Sequence, residues 1–527
     1  MEEPNIIQCA VHSTVQSIVH STVQSIVHSA VHYAVHYAVH SAVHSAVQCT
    51  SNLPDFIDTL TDSDFLDLEI TVIEMTDEYI QNNILQMADP DFHQALVNNI
   101  TEILFAEWSD AGLCLDEDFE DIITLIEQFA DNYFDNYLSV EPGIIPPVRS
   151  HRTTIILQSS TINSETITNT IERLKSIEQP AQRTPEWYAF RNELITASNL
   201  GKIFISDAQR NSLIFEKCSS GLRCTEQSGN HQLNLDEDKA INTPTEKYIN
   251  TQSPMHWGQK YEPVSVMIYE QLFGSKISAD FGCIRHATIP CIGASPDGIN
   301  IDPLSDRYGR MLEIKNIVNR EMDGIPSKVY WIQMQVQMET CDLDECDFME
   351  TRFKEYNDPQ ISTEDAFWAD TLHEYKGIIL YFVERVSIGS FVHGQQNMNA
   401  PHYEYMPFSI PLTRDSVDEW IASIRQRLRR SHSLYTTLYW YLDDWSCVLV
   451  ERNRMWFAKA KDQIIQTWDT ILLERETGYE HRASKKRVIK PMSEQLIVVD
   501  EDGNTRHIQN ISVQKSICLV KLDHDDI

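Results

Sequence analysis

Before Arg149 the chain contains no lysine or arginine, and those 148 residues carry 25 aspartates and glutamates. No other feature divides the sequence so sharply. The formal net charge is −36, so the remaining 379 residues carry only about −11. The acidity therefore belongs largely to an N-terminal region, and the rest of the chain is free to present a locally basic groove. An acidic balance thus does not exclude a nucleic-acid partner, because the distribution of charge decides that more than its sum.

A length of 527 residues leaves room for roughly two to four domains, and an apolar share of 42% is near the globular norm. The eleven cysteines are scattered without a C-x-x-C pair. The nearest couples, Cys218/Cys224 and Cys341/Cys346, lack a second pair at zinc-finger spacing. Reduced thiols are the simplest reading. There is no run of about 18 apolar residues, and Met1-Glu2-Glu3-Pro4 is no secretory leader. The expected setting is intracellular, cytoplasmic or nuclear in a host cell, without a membrane partner and without secretion.

Residues 1–50 hold a tandem tetrad repeat, with Val at 11, 15, 19 and every fourth position to 47, each followed by His or Gln. A step of four advances a helix by about 400°, so the valine stripe drifts about 40° per repeat and faces no fixed partner. His32, His36, His40 and His44 share the i, i+4 spacing that can hold a metal on a helix. A low-complexity expansion without chemistry is the simpler reading. Residues 51–148 read as an acidic helical domain. Ile100, Ile103 and Leu104, then Ile122, Ile123, Leu125, Ile126 and Phe129, fall at helical spacing. Such a domain is a solvated acidic face, or else a DNA mimic or docking surface competing for the groove. Glu141-Pro142-Gly143-Ile144-Ile145-Pro146-Pro147 has linker composition, and 149–182 is taken as linker.

From 183 to 410 the pattern is α/β. Helices are expected at Glu186–Ile203, Trp257–Phe273 and 327–341, with a polar insertion at 206–253. Strands are expected at 276–285, 288–293, 310–316, 345–352 and 377–386. Residues 411–527 read as a helical, partly basic extension, with clusters at Arg425, Arg427, Arg429, Arg430 and at Arg482, Lys485, Lys486, Arg487, Lys490.

Hydrolysing a phosphodiester requires shielding of the non-bridging oxygens, a hydroxide near neutral pH and a steadied leaving oxygen. A divalent metal on carboxylates supplies all three, and Mg²⁺ prefers oxygen ligands. A lysine beside the metal stabilises charge or helps to activate water. Gly293-Ala294-Ser295-Pro296-Asp297-Gly298 ends a strand in a turn with Asp297 at its lip. Met311-Leu312-Glu313-Ile314-Lys315 then sets Glu313 and Lys315 on one face of a strand. Alone this pattern is weak, since exposed hairpin faces often produce it.

Its neighbours add weight. Trp187, Arg191 and Ile195-Thr196-Ala197-Ser198 come first, then Gly258-Gln259-Lys260-Tyr261-Glu262-Pro263. After the hairpin follow Tyr330-Trp331-Ile332-Gln333-Met334-Gln335 and Met338. In this order the blocks resemble the lambda-exonuclease/YqaJ viral recombinase family of the PD-(D/E)xK nucleases. Taken singly, each has a plainer reading, from an exposed arginine to a proline-led helix start. The resemblance covers about a third of the chain.

The resemblance implies an α/β, restriction-endonuclease-like (PD-(D/E)xK) core with a central mixed sheet flanked by helices. The N-terminal acidic helical region and the C-terminal helical extension lie outside it. Asp297, Glu313, the Ile314 carbonyl and Glu262 would hold Mg²⁺, or Mn²⁺ in its place. Lys315 and Gln333 would position and activate water. Arg191, Ser198 and Ser295 would hold a 5′-phosphate, and Gln335 would border the DNA. The implied partners are double-stranded DNA ends, a single-strand annealing protein and further copies of the chain. The activity implied is 5′ to 3′ exonuclease digestion in viral or phage-type recombination or end processing. An endonuclease or repair nuclease on the same core is the rival enzyme. A catalytically silent DNA-binding or docking module is the rival of another class.

Overall fold

The computed structural model of the chain describes residues 60–134, 164–180, 184–225, 251, 253–357, 360–385, 401–483, 496–499 and 505–508. The tetrad repeat, the segment 141–147, residues 226–250 of the expected insertion and the basic run from Lys485 to Lys490 lie outside the described residues.

The acidic region forms three helices, α1 (Asp62–Asn82), α2 (Phe92–Asp110) and α3 (Phe119–Asn132), with a 3₁₀ turn at Ile84–Ala88. A reciprocal cap starts α1: Asp64 N donates to Thr61 Oγ1 at 3.3 Å, and Thr61 N donates to Asp64 Oδ2 at 2.8 Å. α3 buries Ile122, Leu125, Ile126 and Phe129, the i, i+3, i+4, i+7 face that the sequence shows. The apolar face of this region is continuous with that of the α/β core, one cluster joining Leu96, Ile100 and Ile126 to Trp331 and Trp456.

The core follows in chain order. First come α4 (Ser164–Ser176), α5 (Pro185–Asn192), β1 (Ile195–Thr196), α6 (Ala197–Leu200), α7 (Lys202–Ile205), α8 (Asp207–Thr225) and α9 (Pro254–Phe273). Then come β2 (Ile277–Ser278), β3 (Ile284–Arg285), β4 (Ile292–Ala294), β5 (Gly298–Asn300), β6 (Met311–Asn316), α10 (Lys328–Cys341) and β7 (Glu345–Glu355). α11 (Thr363–Ala369), β8 (Lys376–Glu384), β9 (His402–Tyr405), α12 (Arg414–Leu428), β10 (His432–Glu451) and α13 (Arg454–Thr477) complete it. Seven strands form one sheet in the order β2-β5-β6-β7-β10-β8-β9. Only β6 and β7 run parallel in it, as the crossover through α10 requires. α9 covers one face, with Tyr261, Val264 and Ile268 against Leu312, Ile314 and Met349. α10 packs with Met311 and Phe348, whose side chains alternate to the opposite face.

Three expectations change. The helix foreseen over Glu186–Ile203 is interrupted, because Ile195 and Thr196 pair in parallel with Ile292 and Gly293. The insertion at 206–253 opens with α8, which packs on α13 and carries buried Leu213 and Ile214. Beyond Pro411 the chain is not all helical, since the 20 residues of β10 form the strand that links β7 to β8. Its Tyr, Thr and Trp residues suit a pleated, half-buried surface. In a separate unit beyond Glu480, β11 (Leu496–Val499) and β12 (Thr505–Ile508) pair antiparallel. Among the described residues no helix is long and apolar enough to cross a membrane.

Candidate active site

β5 and β6 form a hairpin, with Gly298 opposite Leu312 and Ile299 opposite Met311. Asp297 immediately precedes β5, and its Oδ2 accepts the Ile314 N–H at 2.8 Å. A Cβ on Gly298 would lie 2.3 Å from Ile277 Cγ2, so only glycine lets β2 pack beside this turn. Glu313 is completely buried, and a buried carboxylate is tolerable only when partnered. Its Oε1 accepts from the Lys315 ammonium and, at 2.7 Å, from Gln333 Nε2. Its Oε2 accepts from Gln337 Nε2 at 2.7 Å. Gln333 and Gln337 stand one turn apart on α10, which puts both amides on the strand below. Lys315 Nζ also reaches Gln333 Oε1 at 3.5 Å and lies 4.8 Å from the ring centre of Tyr330.

Glu262, half-buried on α9, joins from the other side. Burial and the nearby Glu313 raise its pKa, with Lys315 opposing. Burial drives the Asp297 carboxyl well above its usual range, and Glu313 and Glu262 add to the effect. Burial works against the Lys315 ammonium, but Glu313 and Asp297 outweigh it and its pKa rises. A cavity of about 440 Å³ is lined by these residues, Glu262, Asp297, Glu313 and Lys315, together with Tyr330 and Gln333.

Burial and the neighbouring carboxylates raise the pKa of Asp297 and Glu262, which makes a site that favours a cation, and an all-oxygen donor set suits a hard divalent ion. The residues therefore fit such a metal. Among the described residues, though, no three carboxylate, imidazole or thiol groups already form a closed cage. Both oxygens of Glu313 are engaged by Lys315, Gln333 and Gln337, so a cation would have to share or displace one of those contacts.

A second group of residues adjoins the first through Ser295, whose carbonyl accepts from Gln337 Nε2 at 3.3 Å. Ser295 and Arg191 both meet the buried Cys283 thiol. Burial raises the pKa of that thiol against the opposing pull of Arg191, Ser295 and Lys217. Arg191 stacks 4.5 Å from the ring centre of Trp187, and its carbonyl accepts from Lys217 Nζ at 2.9 Å. Lys217 is 7% exposed, and burial brings its pKa down to about 8, with Arg191 and Arg475 adding to the shift and Glu216 opposing it. Sequence reasoning missed Lys217, which sits in the expected insertion with no local pattern to mark it.

It also missed Gln337, which the i, i+4 spacing from Gln333 on a helix could have revealed. Gln335 is turned away. Its Nε2 donates to Glu451 O at 2.8 Å and its Oε1 accepts from Asn453 N at 2.6 Å, so it ties α10 to the end of β10. Ser198 is exposed beside Thr196, at 3.2 Å between hydroxyls, and no contact with Arg191 or Ser295 is seen among the described residues.

A mixed sheet flanked by helices, with Asp297, Glu313 and Lys315 meeting at a β-hairpin, defines the restriction-endonuclease-like α/β class. Within it, residues 186–344 match the YqaJ-like viral recombinase domain. The chain is also similar to an uncharacterized protein of Acanthamoeba polyphaga mimivirus, 27% identical over 331 residues. That match covers 58% of this chain and 55% of the viral protein, so the chain spans about half the length of that relative. Two crystal structures of the alkaline exonuclease LHK-Exo from Laribacter hongkongensis, one of them in complex with dAMP, are similar at 18% identity. Each comparison covers 56% of this chain and 95% of the exonuclease, with a TM-score of 0.29.

Proposed function

We propose that this protein is a metal-dependent deoxyribonuclease that digests duplex DNA from its ends, 5′ to 3′, in viral-type recombination or end processing. The convergence of Asp297, Glu313, Glu262 and Lys315 on one cavity carries the reading. Asp297, Glu313, Glu262 and the Ile314 carbonyl would hold Mg²⁺, or Mn²⁺ in its place. When bound, the ion shields the phosphate oxygens and makes water acidic enough to attack near neutral pH. Lys315, kept charged by Glu313, presents its ammonium to the phosphate and offsets the negative charge that grows during attack. Gln333 holds Lys315 and Glu313 together, which fixes the ammonium against the carboxylate. Arg191 and Ser295, with Lys217 behind them, offer cations and a hydroxyl to a terminal phosphate, while Asn192 and Lys217 carbonyls hold Arg475 nearby at 2.8 and 2.9 Å. A phosphate anchored there would favour stepwise digestion from an end.

The test is incubation of the purified chain with linear and closed circular duplex DNA, with Mg²⁺ or with chelator. Loss of linear DNA alone, only with Mg²⁺, and faster from 5′-phosphorylated than from dephosphorylated ends, is expected. Cutting of closed circles would turn the reading to an endonuclease, and no cutting at all to a silent DNA-binding module. An annealing protein and further copies of the chain are the partners this activity would call for.

A further inference from the structure

The catalytic cavity makes no use of the arginines at the C-terminal end of α12. Arg425, Arg427, Arg429 and Arg430 are all exposed. Arg385, exposed at the end of β8, joins them by donating its N–H to Ser431 O at 2.8 Å and its Nε–H to His432 O at 3.1 Å. Arg427 is paired with Glu404 at 2.6 Å, and Glu404 also takes His402 at 2.7 Å. Among the described residues, no carboxylate pairs with Arg385, Arg425, Arg429 or Arg430. In a chain of net charge −36, four unneutralised guanidinium groups at one helix end stand out electrostatically.

Strand register puts them in line with the catalytic centre. Cross-strand partners share a face of the sheet. Lys315 pairs with Glu350 and Glu350 with Ser446, while Lys354 pairs with Tyr441 and Tyr439 with Ile378. Alternation along β7 and β10 keeps that face continuous from Lys315 to Ile378. α12 packs on the same face, with Val417 and Trp420 against Ile378, Leu380 and Phe382. The arginines of α12 thus stand on the catalytic face, with Arg385 at the same end of the sheet, fourteen residues along β10 from Ser446 to His432. At about 3.3 Å per residue, less the strand's bends, that is roughly 40 Å. Duplex DNA rises about 3.4 Å per base pair, so a duplex with its end in the cavity reaches them after about 12 base pairs.

We propose that Arg385, Arg425, Arg429 and Arg430 form a second DNA contact, which holds the phosphate backbone about 12 base pairs from the cut. The inference rests on the nuclease reading above. Guanidinium groups suit phosphate oxygens in charge and geometry. The plainer role, cations offsetting the dipole at a helix C-terminus, predicts an effect on stability and none on DNA.

The test uses the full chain with Arg425, Arg429 and Arg430 all changed to Glu, and a second variant with the same three changed to Lys. Binding and cleavage are measured on blunt duplexes of roughly 8 and 40 base pairs across a salt series. For the Glu variant, affinity for the long duplex should fall at least about tenfold, and the slope of log affinity against log salt should flatten by about 2.7, near 0.9 per lost contact. Cleavage of the short duplex should match the parent, and the Lys variant should keep most of the long-duplex affinity. Unchanged binding of the long duplex, equal losses on both lengths, or a change in thermal stability alone would overturn the proposal. If the unaltered protein cleaves neither duplex, the nuclease reading fails instead, while the binding isotherms still decide the arginine contact.

Discussion

Nε2 of Gln337 lies 2.7 Å from Oε2 of Glu313. Gln333 takes the other oxygen, so two amides one helical turn apart fix a buried carboxylate. Gln337→Leu would strand that oxygen, at a cost of about 1–3 kcal/mol for an unpaired buried acceptor. Thermal stability should fall and cleavage should slow by at least about tenfold, since the carboxylate loses its fixed orientation. Gln335→Leu is the control. It breaks contacts to Glu451 and Asn453 and should lower stability while leaving the rate per folded molecule near the parent value. A Gln337→Leu protein that cleaves at the parental rate would remove Gln337 from the site.

Burial disfavours the charged forms of Asp297 and Glu262, and the neighbouring Glu313 adds to both effects, so the centre is assembled at some expense of stability. Asp297→Asn should therefore melt no lower than the parent in chelator, since the amide oxygen can still accept from Ile314 N. Cleavage should drop below detection. Added Mg²⁺ should raise the melting temperature of the parent by mass action and leave the variant unmoved. An equal Mg²⁺ shift in both proteins would take Asp297 out of the metal site.

Much of this centre is readable in the sequence because it is local. The β5–β6 hairpin shows in a Pro/Gly turn and in strand alternation, and these set Asp297, Glu313 and Lys315 within nineteen residues. α10 shows as a helix, but its working pair, Gln333 and Gln337, follows from the i, i+4 spacing and not from the Gln-x-Gln pattern. Lys217 was not legible. It meets Arg191 only because α8 folds back on α5, and no pattern encodes a contact across 26 residues. β10 is hard to read because the basic stretch before it, Arg425 to Arg430, runs out of a true helix that ends at Leu428, just before a Tyr- and Thr-rich strand. The helices of the acidic region are legible from their spacing. What they bury against is not.

Lys217 offers a pH test. Its pKa lies down at about 8, chiefly through burial, against about 10.4 for a free lysine. Between those values the unfolded chain holds a proton that the folded chain lacks, so stability rises with pH from about 8 to about 10.4 and this group adds no slope below that window. The rise is at most about 3 kcal/mol, at about 1.4 kcal/mol per unit. Lys217→Met should abolish the difference, which chemical denaturation of parent and variant across that pH range measures. Any preference for 5′-phosphorylated ends should fade around pH 8, where the ammonium of the folded protein loses its proton. Parallel stability curves for parent and variant would mean that Lys217 is not perturbed in the folded protein.

The acidic region is built into the α/β core. Met87 and Trp456 are both fully buried, Asn453 Nδ2 donates to Met87 Sδ at 3.3 Å, and Trp456 Nε1 donates to Leu85 O at 3.4 Å. Trp456 in turn meets Trp331 at 5.3 Å and Phe204 at 5.4 Å between ring centres, so the 3₁₀ turn caps an aromatic cluster behind α10. At the rim, Asp89 pairs with Lys328 at 2.8 Å, next to the start of α10. A chain beginning at Arg149 should consequently do more than lose a repulsive acidic surface. Uncovering one large apolar side chain costs about 1.5–3 kcal/mol, and several are uncovered together, so the shortened chain should melt lower and aggregate. Met87→Asp should reproduce much of that loss within the full chain. Asp89→Ala, which breaks a half-exposed ion pair, should cost no more than about 1 kcal/mol. Melting curves for the three proteins, with DNA-binding isotherms over a salt series for those that stay folded, separate packing from charge. A shortened chain as stable as the full one, with the same affinity for DNA at every salt, would show the acidic region to be a passive appendage.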